Sequence, residues 1–391
     1  MSISVSAYPS ALLGEVCRFV GGGTPSKKRE DYFSGNIPWA TVKDFKTFRI
    51  SDTEDHISEA GLANSASNLV PTGTVLLVTR VGLGKVAIAE QPLAINQDIK
   101  AVIPKSEILP DFLFWFLLSQ GAAIERMGAG ATVKGVTLND VRAIKIPVPP
   151  IPEQRRIADI LSRAEGIVRL RREAQKKAAE IIPALFLDMF GDPATNPKRW
   201  RMTSVGQIAT YTRYGPRFPD RQYSDKGAHI LRTTDMGYSG ELRWFDAPIL
   251  PMSTEELEKY SLQPGTLLIT RTGATIGKMA LFNGAERPCI AGAYLIEVGL
   301  SGDVVPEFVL HFFLGQFGQS QLIGGSRAVA QPNINAPTIR AIPIPVPDFD
   351  IQEAFADQVA EIESIQSQQT SATQKAEAVF DALLARTFID S

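Results

Sequence analysis

Residues 142–157 read RAIKIPVPPIPEQRRI. Proline lacks an amide proton and restricts the residue before it, so no helix can cross the Ile-Pro-Val-Pro part of this stretch. The stretch therefore predicts an extended segment that ends one domain and then opens a long helix. Its first half returns at residues 340–347 as RAIPIPVP, again ahead of a long helical pattern. The same boundary thus occurs twice in one chain.

Further landmarks recur in the same order ahead of each boundary. The strings GTVLLVTR, GKVA and LPDF at 73–80, 84–87 and 109–112 return as GTLLITR, GKMA and VPEF at 265–271, 277–280 and 305–308. The offset between the copies grows from 192 to 198 residues, as small loop insertions would produce. Such a long period predicts a duplicated domain rather than a solenoid. Arg80 and Arg271 end the same string, which predicts a common role for them in the fold or in binding phosphate.

Two long helices follow the two boundaries, at about residues 152–189 and 350–388. Their apolar residues recur at steps of three and four on a narrow stripe, which is typical of a coiled-coil seam. Residues 152–183 carry a net charge of +3 and residues 350–391 one of −6, which favours pairing of the two helices with each other. The alternative is that each helix folds back on its own domain. Pro183 is expected to bend or interrupt the first helix near its end.

The composition indicates a globular protein. The 391 residues are 44% apolar and 21% charged, and this length suggests two or three domains. The net charge of −2 excludes a polybasic chain but leaves local basic patches open. The two cysteines lie far apart, which excludes a zinc site built from cysteines and argues against a disulfide framework. Because no signal peptide and no membrane-length apolar stretch is apparent, we expect a protein of a reducing compartment.

Motifs for catalysis are missing from the sequence. It holds no Glu-x-Lys of a metal-dependent nuclease and no Asn/Asp-Pro-Pro-aromatic motif of an amino-methyltransferase. The glycine strings at 21–25, 82–85 and 273–278 do not fit a P-loop and are interpreted as turns. His56, His229 and His311 have no histidine counterparts in the other copy, which excludes a duplicated histidine site.

Charged and aromatic residues cluster instead in the predicted loops of each copy. Arg and Lys can bind phosphates or donate to guanine, and Asp can accept from cytosine. The predicted DNA-binding residues are Lys27, Lys28, Trp39, Lys43, Asp44, Arg80 and Lys134 in the first copy, and Arg217, Arg232, Asp235, Arg271, Lys278 and Arg327 in the second. Among them, Lys27, Lys28, Arg80, Arg271 and Lys278 are assigned to phosphates.

These loops also allow other interpretations. A run of charges is commonly a solvated face with surface ion pairs, and Arg80 and Arg271 could cap strands. The two copies differ more in these loops than in their predicted strands and helices. That difference fits one scaffold with two readout surfaces, and it equally fits drift in unimportant loops.

At this level of detail the chain resembles the DNA specificity subunit of type I restriction–modification systems, over essentially its whole length. The resemblance rests on the duplicated layout and on the strings at 22–26, 71–77, 146–157 and 185–193. The second copy departs from the pattern. Its junction at 347–353 reads PDFDIQE, without the Glu-Gln-Arg start, and Asn96-Gln97 aligns with Ala291-Gly292. Only Tyr214-Gly215-Pro216 corresponds to the Gly-Gly-Thr-Pro string.

The resemblance implies an α+β fold in which two duplicated α/β target recognition domains are separated by two long antiparallel helices. These helices would form a coiled-coil spacer with pseudo-two-fold symmetry. The implied segments are target recognition domain 1 at 1–151, spacer helix 1 at 152–190, a linker at 191–203, target recognition domain 2 at 204–349 and spacer helix 2 at 350–391.

The resemblance also implies a subunit with no catalytic activity and no cofactor of its own, in the cytoplasm and away from membranes. Each domain would read one half of an asymmetric, bipartite site in double-stranded DNA. The helices would help to dock two modification (methyltransferase) subunits, and restriction (motor-nuclease) subunits would join them. S-adenosylmethionine, ATP and magnesium would then be used by those partners.

Two other functions remain open at this stage. One is a non-catalytic DNA-recognition subunit of a different defence or modification complex. The other is a two-domain scaffold that binds a sugar or a peptide and dimerises through its helices. Salt-dependent binding to duplex DNA would separate the DNA functions from the scaffold.

Overall fold

The computed structural model describes residues 5, 7–128, 135–324 and 333–388. The chain forms two compact units. The first unit comprises Met1–Glu173 together with Ser371–Ser391, and the second comprises Ala174–Thr370. Each unit therefore takes one end of each long helix. The segment limits expected from the sequence remain a prediction.

The first unit is a mixed structure of short strands and helices. Its strands are β1 (Ser10–Leu12), β2 (Cys17–Gly21), β3 (Ile37–Ala40), β4 (Arg49–Ile50), β5 (His56–Ile57), β6 (Asn68–Val70), β7 (Val75–Val78), β8 (Val86–Ala89), β9 (Leu93–Ile95), β10 (Ile99–Pro104) and β11 (Lys145–Pro147). Its helices are α1 (Leu13–Val16), α2 (Glu59–Ala63), α3 (Pro110–Ser119), α4 (Gly121–Met127), α5 (Leu138–Arg142) and the start of α6 (Ile151–Ala178).

Sheet pairing in the first unit places β7 at its centre. One sheet has the order β2-β10-β7-β8-β4, a second has the order β5-β3-β9-β6, and β1 pairs with β11. On one face of β7, Val75 and Leu77 pack on the aromatic helix α3, and on the other face Leu76 and Val78 join a second cluster. A strand that is buried on both faces has a continuous apolar run, which explains the string found in the sequence.

The second unit repeats this plan. Its strands are β12 (Arg201–Ser204), β13 (Ala209–Tyr214), β14 (Ala228–Leu231), β15 (Ile249–Leu250), β16 (Thr266–Thr270), β17 (Met279–Phe282), β18 (Cys289–Ala291), β19 (Leu295–Leu300) and β20 (Pro343–Val346). Its helices are α7 (Ile181–Phe190), α8 (Val205–Ile208), α9 (Thr254–Tyr260), α10 (Pro306–Leu314), α11 (Gln316–Gly324), α12 (Ala336–Ala341) and the start of α13 (Phe349–Phe388).

The sheet orders β13-β19-β16-β17 and β15-β14-β18, with the pair β12-β20, follow those of the first unit, but the described residues of the second unit form no strand that matches the edge strands β4 and β6. Both units also contain a parallel pair at the same place among mostly antiparallel strands, β3 with β9 and β14 with β18, and in the first unit β4 also pairs in parallel with β8. The α+β fold implied by the resemblance and the internal duplication predicted from the recurring strings are therefore confirmed.

Backbone hydrogen bonds correct the alignment of the two copies at one arginine. The amide of Thr79 donates to the carbonyl of Asp98, and the amide of Arg271 donates to that of Tyr294. Thr79 therefore corresponds to Arg271, whereas Arg80 corresponds to Thr272. The expectation that Arg80 and Arg271 share one place is wrong. Adjacent residues of an extended segment point to opposite sides, so the two arginines face different surroundings.

A second correction concerns the loop after β9. The backbone amide of Asn96 donates to the carbonyl of Ala40, and that of Gly292 donates to the carbonyl of Leu231. Ala40 and Leu231 end the neighbouring parallel strands. Asn96 therefore corresponds to Gly292, one residue away from the alignment that the sequence suggested. It follows that Ala293 and Tyr294 stand where the first unit has Gln97 and Asp98.

The first long helix breaks before Pro183. Helix α6 ends at Ala178 and α7 begins at Ile181, so the proline lies in the first turn of α7, where its missing amide costs little. Gly191 ends α7 with a φ of 79°, a conformation that suits glycine. Lys198 then donates to the carbonyls of Asp188 and Met189 at 2.6 and 2.8 Å. The predicted linker thus begins as an ordered helix cap.

The long helices pair with each other in an antiparallel manner in the second unit. There, Gln175 bonds to Thr370 at 3.2 Å and Gln366 donates to the carbonyl of Ala178 at 2.7 Å. In the first unit, Arg172 of the basic helix forms an ion pair of 2.6 Å with Glu377 of the acidic one.

The helices also pack on the domains. In the first unit, the rings of Phe380 and Phe388 from the last helix lie against Trp115 and Phe112 of α3. In the second unit, Phe186 of α7 stacks on Phe308 of α10 with ring centroids 5.7 Å apart. Pairing of the helices and packing on a domain therefore occur together, although the sequence presented them as alternatives. Within the described ranges, no helix is long and apolar enough to cross a membrane.

Candidate nucleic-acid interface

An open cleft of about 610 Å³ lies on the first unit, and several predicted binding residues line it. Strands β3 and β9 are parallel, so the loops that follow them, at 41–45 and 96–98, leave the same edge of the sheet. Such an edge is where ligands bind in many α/β proteins. The lining includes Lys27, Trp39, Lys43, Asn96, Gln97 and Asp98.

The glycine-rich loop at 21–25 forms one wall of this cleft by close backbone approach. A Cβ atom on Gly22 would lie 2.2 Å from the carbonyl oxygens of Ile95 and Asn96, so a larger residue cannot occupy this position. The amide of Gly23 donates to the carbonyl of Ile95 at 3.0 Å. The string therefore ties two loops together, which agrees with its interpretation as a turn.

Trp39 and Asp44 are buried and hold the cleft together from inside. Trp39 is 5% exposed, and its Nε1 donates to the carbonyl of Gly23 at 3.1 Å. Asp44 is 8% exposed, and its carboxylate accepts from the amides of Thr41 at 2.7 Å and Glu54 at 2.9 Å. Both residues are thus committed to bonds within the unit. That these two predicted residues touch DNA stays a prediction.

The lysine side chains at the cleft are exposed and can bind an anion. Lys27, Lys28 and Lys43 are exposed. Arg80 is half-exposed, and its Nε lies 3.8 Å from an oxygen of Asp98. These four cations border the loops that form the cleft. Lys134, also predicted to bind DNA, lies outside the described residues.

The corresponding loop of the second unit has a different chemistry. Arg232 follows β14, and its guanidinium donates to both oxygens of Asp235, at 3.1 and 2.7 Å. This bonding raises the pKa of Arg232 above its ordinary value. Asp235, which is 4% exposed, also accepts from the amide of Arg232 at 2.7 Å. Asp44 and Asp235 therefore close the same 3-10 turn in the two units.

The remaining predicted cations of the second unit lie beside aromatic rings or in solvent. The guanidinium of Arg271 is 4.5 Å from the ring centre of Tyr214. The ammonium of Lys278 is 4.4 Å from the ring centre of Tyr238 and donates to the carbonyl of Met236 at 2.7 Å. Arg217 is exposed. Arg327 lies outside the described residues.

Sequence analysis missed a group of exposed aromatic side chains in the second unit. Tyr238, Phe245 and Tyr294 are more than half exposed, and none of the three was singled out. Exposure depends on the final packing and leaves no signal in a single sequence. It also missed Gln97, an exposed amide in the cleft, although the string that contains it was noted.

A buried ion pair stabilises the sheet behind the second unit's loops. Arg213 of β13 donates to Glu297 of β19 at 2.5 Å and to the carbonyl of Lys259 at 2.6 Å. Glu297 is fully buried, and this burial raises the pKa of its carboxyl. The guanidinium of Arg213 is bonded to Glu297 and to the carbonyl of Lys259. Its positive charge is therefore paired within the unit.

Burial shifts the pKa values of both cysteines and of one histidine among the residues that the structure describes. Burial raises the pKa of Cys17 to about 12 and that of Cys289 to about 11, so neither thiol is ionised at neutral pH. Burial lowers the pKa of His311 to about 4. Over the same ranges, no three His, Cys, Asp or Glu side chains come together as metal ligands.

A family model described as the type I restriction modification DNA specificity domain matches residues 10–180 and again residues 197–377. The chain is 31% identical over 245 residues to the type I restriction enzyme MjaIX specificity subunit of Methanocaldococcus jannaschii, covering 56% of this chain and 54% of that protein. It is 34% identical over 176 residues to the EcoR124I/EcoR124II specificity subunit of Escherichia coli, covering 43% and 44%. The chain thus spans about half the length of these curated relatives.

Two solved structures share the fold. One belongs to a study of complex assembly and conformational transition of the type I restriction–modification system, with a TM-score of 0.63, 19% identity and 99% of both chains covered. The other is the S subunit of such a system from M. genitalium, with a TM-score of 0.55 and 14% identity over 98% of this chain and 96% of that one. At these identities the likeness concerns the fold.

Proposed function

Because this chain belongs to the type I restriction–modification DNA specificity family, we propose that it is the non-catalytic subunit that selects the DNA sequence for such a complex. The observation that carries the proposal is that the family model matches both copies of the duplicated domain. Each copy would read one half of a bipartite, asymmetric site in double-stranded DNA.

The loops after the parallel strands support two different half-sites. The same turn, closed by Asp44 or Asp235, presents Lys43 in the first unit and Thr234 in the second. The next loop presents Gln97 in the first unit and Ala293 in the second. Because hydrogen-bonding groups of different kinds favour different bases, one scaffold with these two sets of side chains would select two sequences.

The long helices support docking of two methyltransferase subunits, one on each unit. Large exposed apolar patches commonly mark surfaces that bind another protein. In the first unit, Ile167, Leu170 and Val379 are each about half exposed on the helices. In the second unit, Ile181, Leu187 and Ile365 are exposed to a similar extent. Each unit would thus offer its own apolar surface to a partner.

The proposal assigns the chemistry to the partners. Methyltransferase subunits would use S-adenosylmethionine, and motor-nuclease restriction subunits would use ATP and magnesium. The specificity subunit would hold none of these cofactors. The assembly would act in the cytoplasm, where chromosomal and invading DNA are both accessible.

The test is to express the chain together with its candidate methyltransferase and to sequence the methylated bases of the host DNA. A gapped motif with two defined halves is the expected result. A stable complex that methylates no such motif would favour a subunit of a different defence complex. Absence of any complex and of salt-dependent DNA binding would contradict the proposal and favour a scaffold for another ligand.

A further inference from the structure

The first unit's cleft contains one exposed amide side chain whose hydrogen bonds define what it can still bind. Gln97 lies in the loop between β9 and β10 and lines the cleft beside Lys43 and Trp39. We propose that Gln97 reads an adenine in the major groove of the first unit's half-site. The proposal rests on the DNA-recognition function proposed above and names the base and the residue.

Two neighbours hold the amide of Gln97 in place. The hydroxyl of Thr24 bonds to its Oε1, and its Nε2 donates to a carboxylate oxygen of Asp98 at 3.2 Å. A glutamine amide offers two N–H donors and an oxygen with two lone pairs. With these two bonds made, one N–H and one lone pair remain for a ligand.

This remaining pair matches the major-groove edge of adenine. Adenine presents a donor at N6 and an acceptor at N7, whereas guanine presents two acceptors and cytosine one donor. A side chain that offers one acceptor and one donor forms two bonds to adenine alone among these three. Gln97 therefore keeps one acceptor and one donor, the two groups that a two-bond contact with adenine requires.

The loop that carries Gln97 is fixed before any ligand arrives. Asn96 is 5% exposed, and its backbone amide donates to the carbonyl of Ala40, which ends β3. Its side chain accepts from the amide of Asp98 at 3.0 Å and donates to the carboxylate of Asp98 at 3.2 Å. A group held in its binding geometry loses little freedom on binding, which strengthens and sharpens recognition.

Asn96 does not compete for this role, because its side-chain amide is buried and both ends of that amide are bonded to Asp98. The second unit offers no amide at the matching place, since Ala293 and Tyr294 replace Gln97 and Asp98. The proposal therefore concerns one half-site only, and the second unit serves as an internal control for it.

The experiment uses the complex of the full chain with its methyltransferase and duplexes in which each base pair of the methylated motif is changed in turn. For the wild type, one A·T pair in one half-site should be preferred by roughly tenfold to a hundredfold over the alternatives. Gln97→Ala should reduce this preference to near unity and leave the other half-site unchanged. Replacing that adenine with 7-deazaadenine, which lacks N7, should weaken the wild type and not the variant.

Two further variants separate base recognition from support of the fold. Thr24→Val removes one of the bonds that hold the amide, so it should relax the same base pair to a smaller extent. Gln91→Ala removes another glutamine of the same unit, which donates to the carbonyl of Ser51, and should leave the motif intact.

The outcomes are distinct. Relaxation of a G·C pair, relaxation in both half-sites, or no change in Gln97→Ala would each overturn the assignment of Gln97. If the wild-type complex itself shows no sequence preference, the proposed function has failed, and the assignment fails with it. The wild-type measurement therefore tells the two failures apart.

Discussion

Gln154 and Gln352 make the same hydrogen bonds at the same place in the two units. Both side chains are fully buried. In each unit, Oε1 of the glutamine accepts from the backbone amide just before an aromatic helix, which is Leu109 for Gln154 and Val305 for Gln352. Its Nε2 donates to a carbonyl of the proline run, which is Pro149 for Gln154 and Pro347 for Gln352. The second junction lacks the Glu-Gln-Arg string but keeps the glutamine that the fold uses.

We predict that Gln352→Leu destabilises the second unit by about 2–4 kcal/mol. The substitution leaves two buried backbone groups without partners, and each such group costs about 1–3 kcal/mol. Urea unfolding of the variant and the wild type measures the difference. Gln358→Leu, on an exposed position of the same helix, is the matched control and should change the stability little. Equal effects of the two substitutions would contradict the role of Gln352.

We predict that Lys43→Ala weakens DNA binding and reduces the salt dependence of that binding. An exposed lysine that contacts a phosphate releases about one counterion, so the slope of log Kobs against log salt should fall by about 1 in magnitude. Titrations of duplex DNA at several salt concentrations measure the slope. Lys145→Ala, an exposed lysine on β11 away from the cleft loops, should leave the slope unchanged. An unaltered slope in Lys43→Ala would place Lys43 away from the DNA.

We predict that His311 makes the second unit less stable as the pH falls from about 6.5 to about 4. Burial against Phe355 lowers the pKa of His311 to about 4, so between these pH values the unfolded chain binds a proton that the folded chain does not. Stability from this group is complete above pH 6.5, and its loss across the window amounts to about 3 kcal/mol.

His311→Leu removes this titration. Its unfolding free energy should therefore vary less between pH 7 and pH 4.5 than that of the wild type, when both are measured by urea unfolding. The comparison at pH 7 accounts for any change in packing. Parallel pH profiles for the two proteins would show that His311 does not contribute.

We predict a weak coupling between Arg172 and Glu377. Arg172 is largely exposed, and exposed ion pairs contribute about 0.2–1 kcal/mol. Arg172→Glu should destabilise the first unit slightly, and the double variant with Glu377→Arg should recover most of the loss. A double-mutant cycle by urea unfolding measures the coupling, and it should decrease at high salt. A coupling of zero would show that the opposite charges of the helices do not act through this pair.

The large-scale organisation was accessible from the sequence, because strands buried on both faces and proline junctions leave continuous, recurring strings. The residue-by-residue register between the two copies was not accessible from the sequence. The strings GTVLLVTR and GTLLITR end in arginine in both copies, yet the hydrogen bonds align Arg271 with Thr79. Comparing two similar sequence strings does not reveal a shift of one residue between them. In a strand, such a shift reverses the side to which each side chain points.

The candidate site was predicted only in part for a related reason. Lys27, Trp39 and Lys43 were named because they are close in sequence, and the structure gathers them in one cleft. Gln97 completes that cleft from more than fifty residues away, through the parallel pairing of β3 with β9. Trp39 and Asp44 have the residue types of a binding surface, and only the structure shows that their polar atoms are bonded inside the unit.

The exchange of helix ends between the two units has a consequence for the order in which the protein is made. Phe380 and Phe388 complete the core of the first unit, but they are translated only after the whole second unit. Phe186 and Phe190, which complete the second unit, are made before it. The unit whose translation begins first is therefore completed last, and a chain cut short at residue 370 would contain every residue of the second unit but leave an open apolar surface on the first unit.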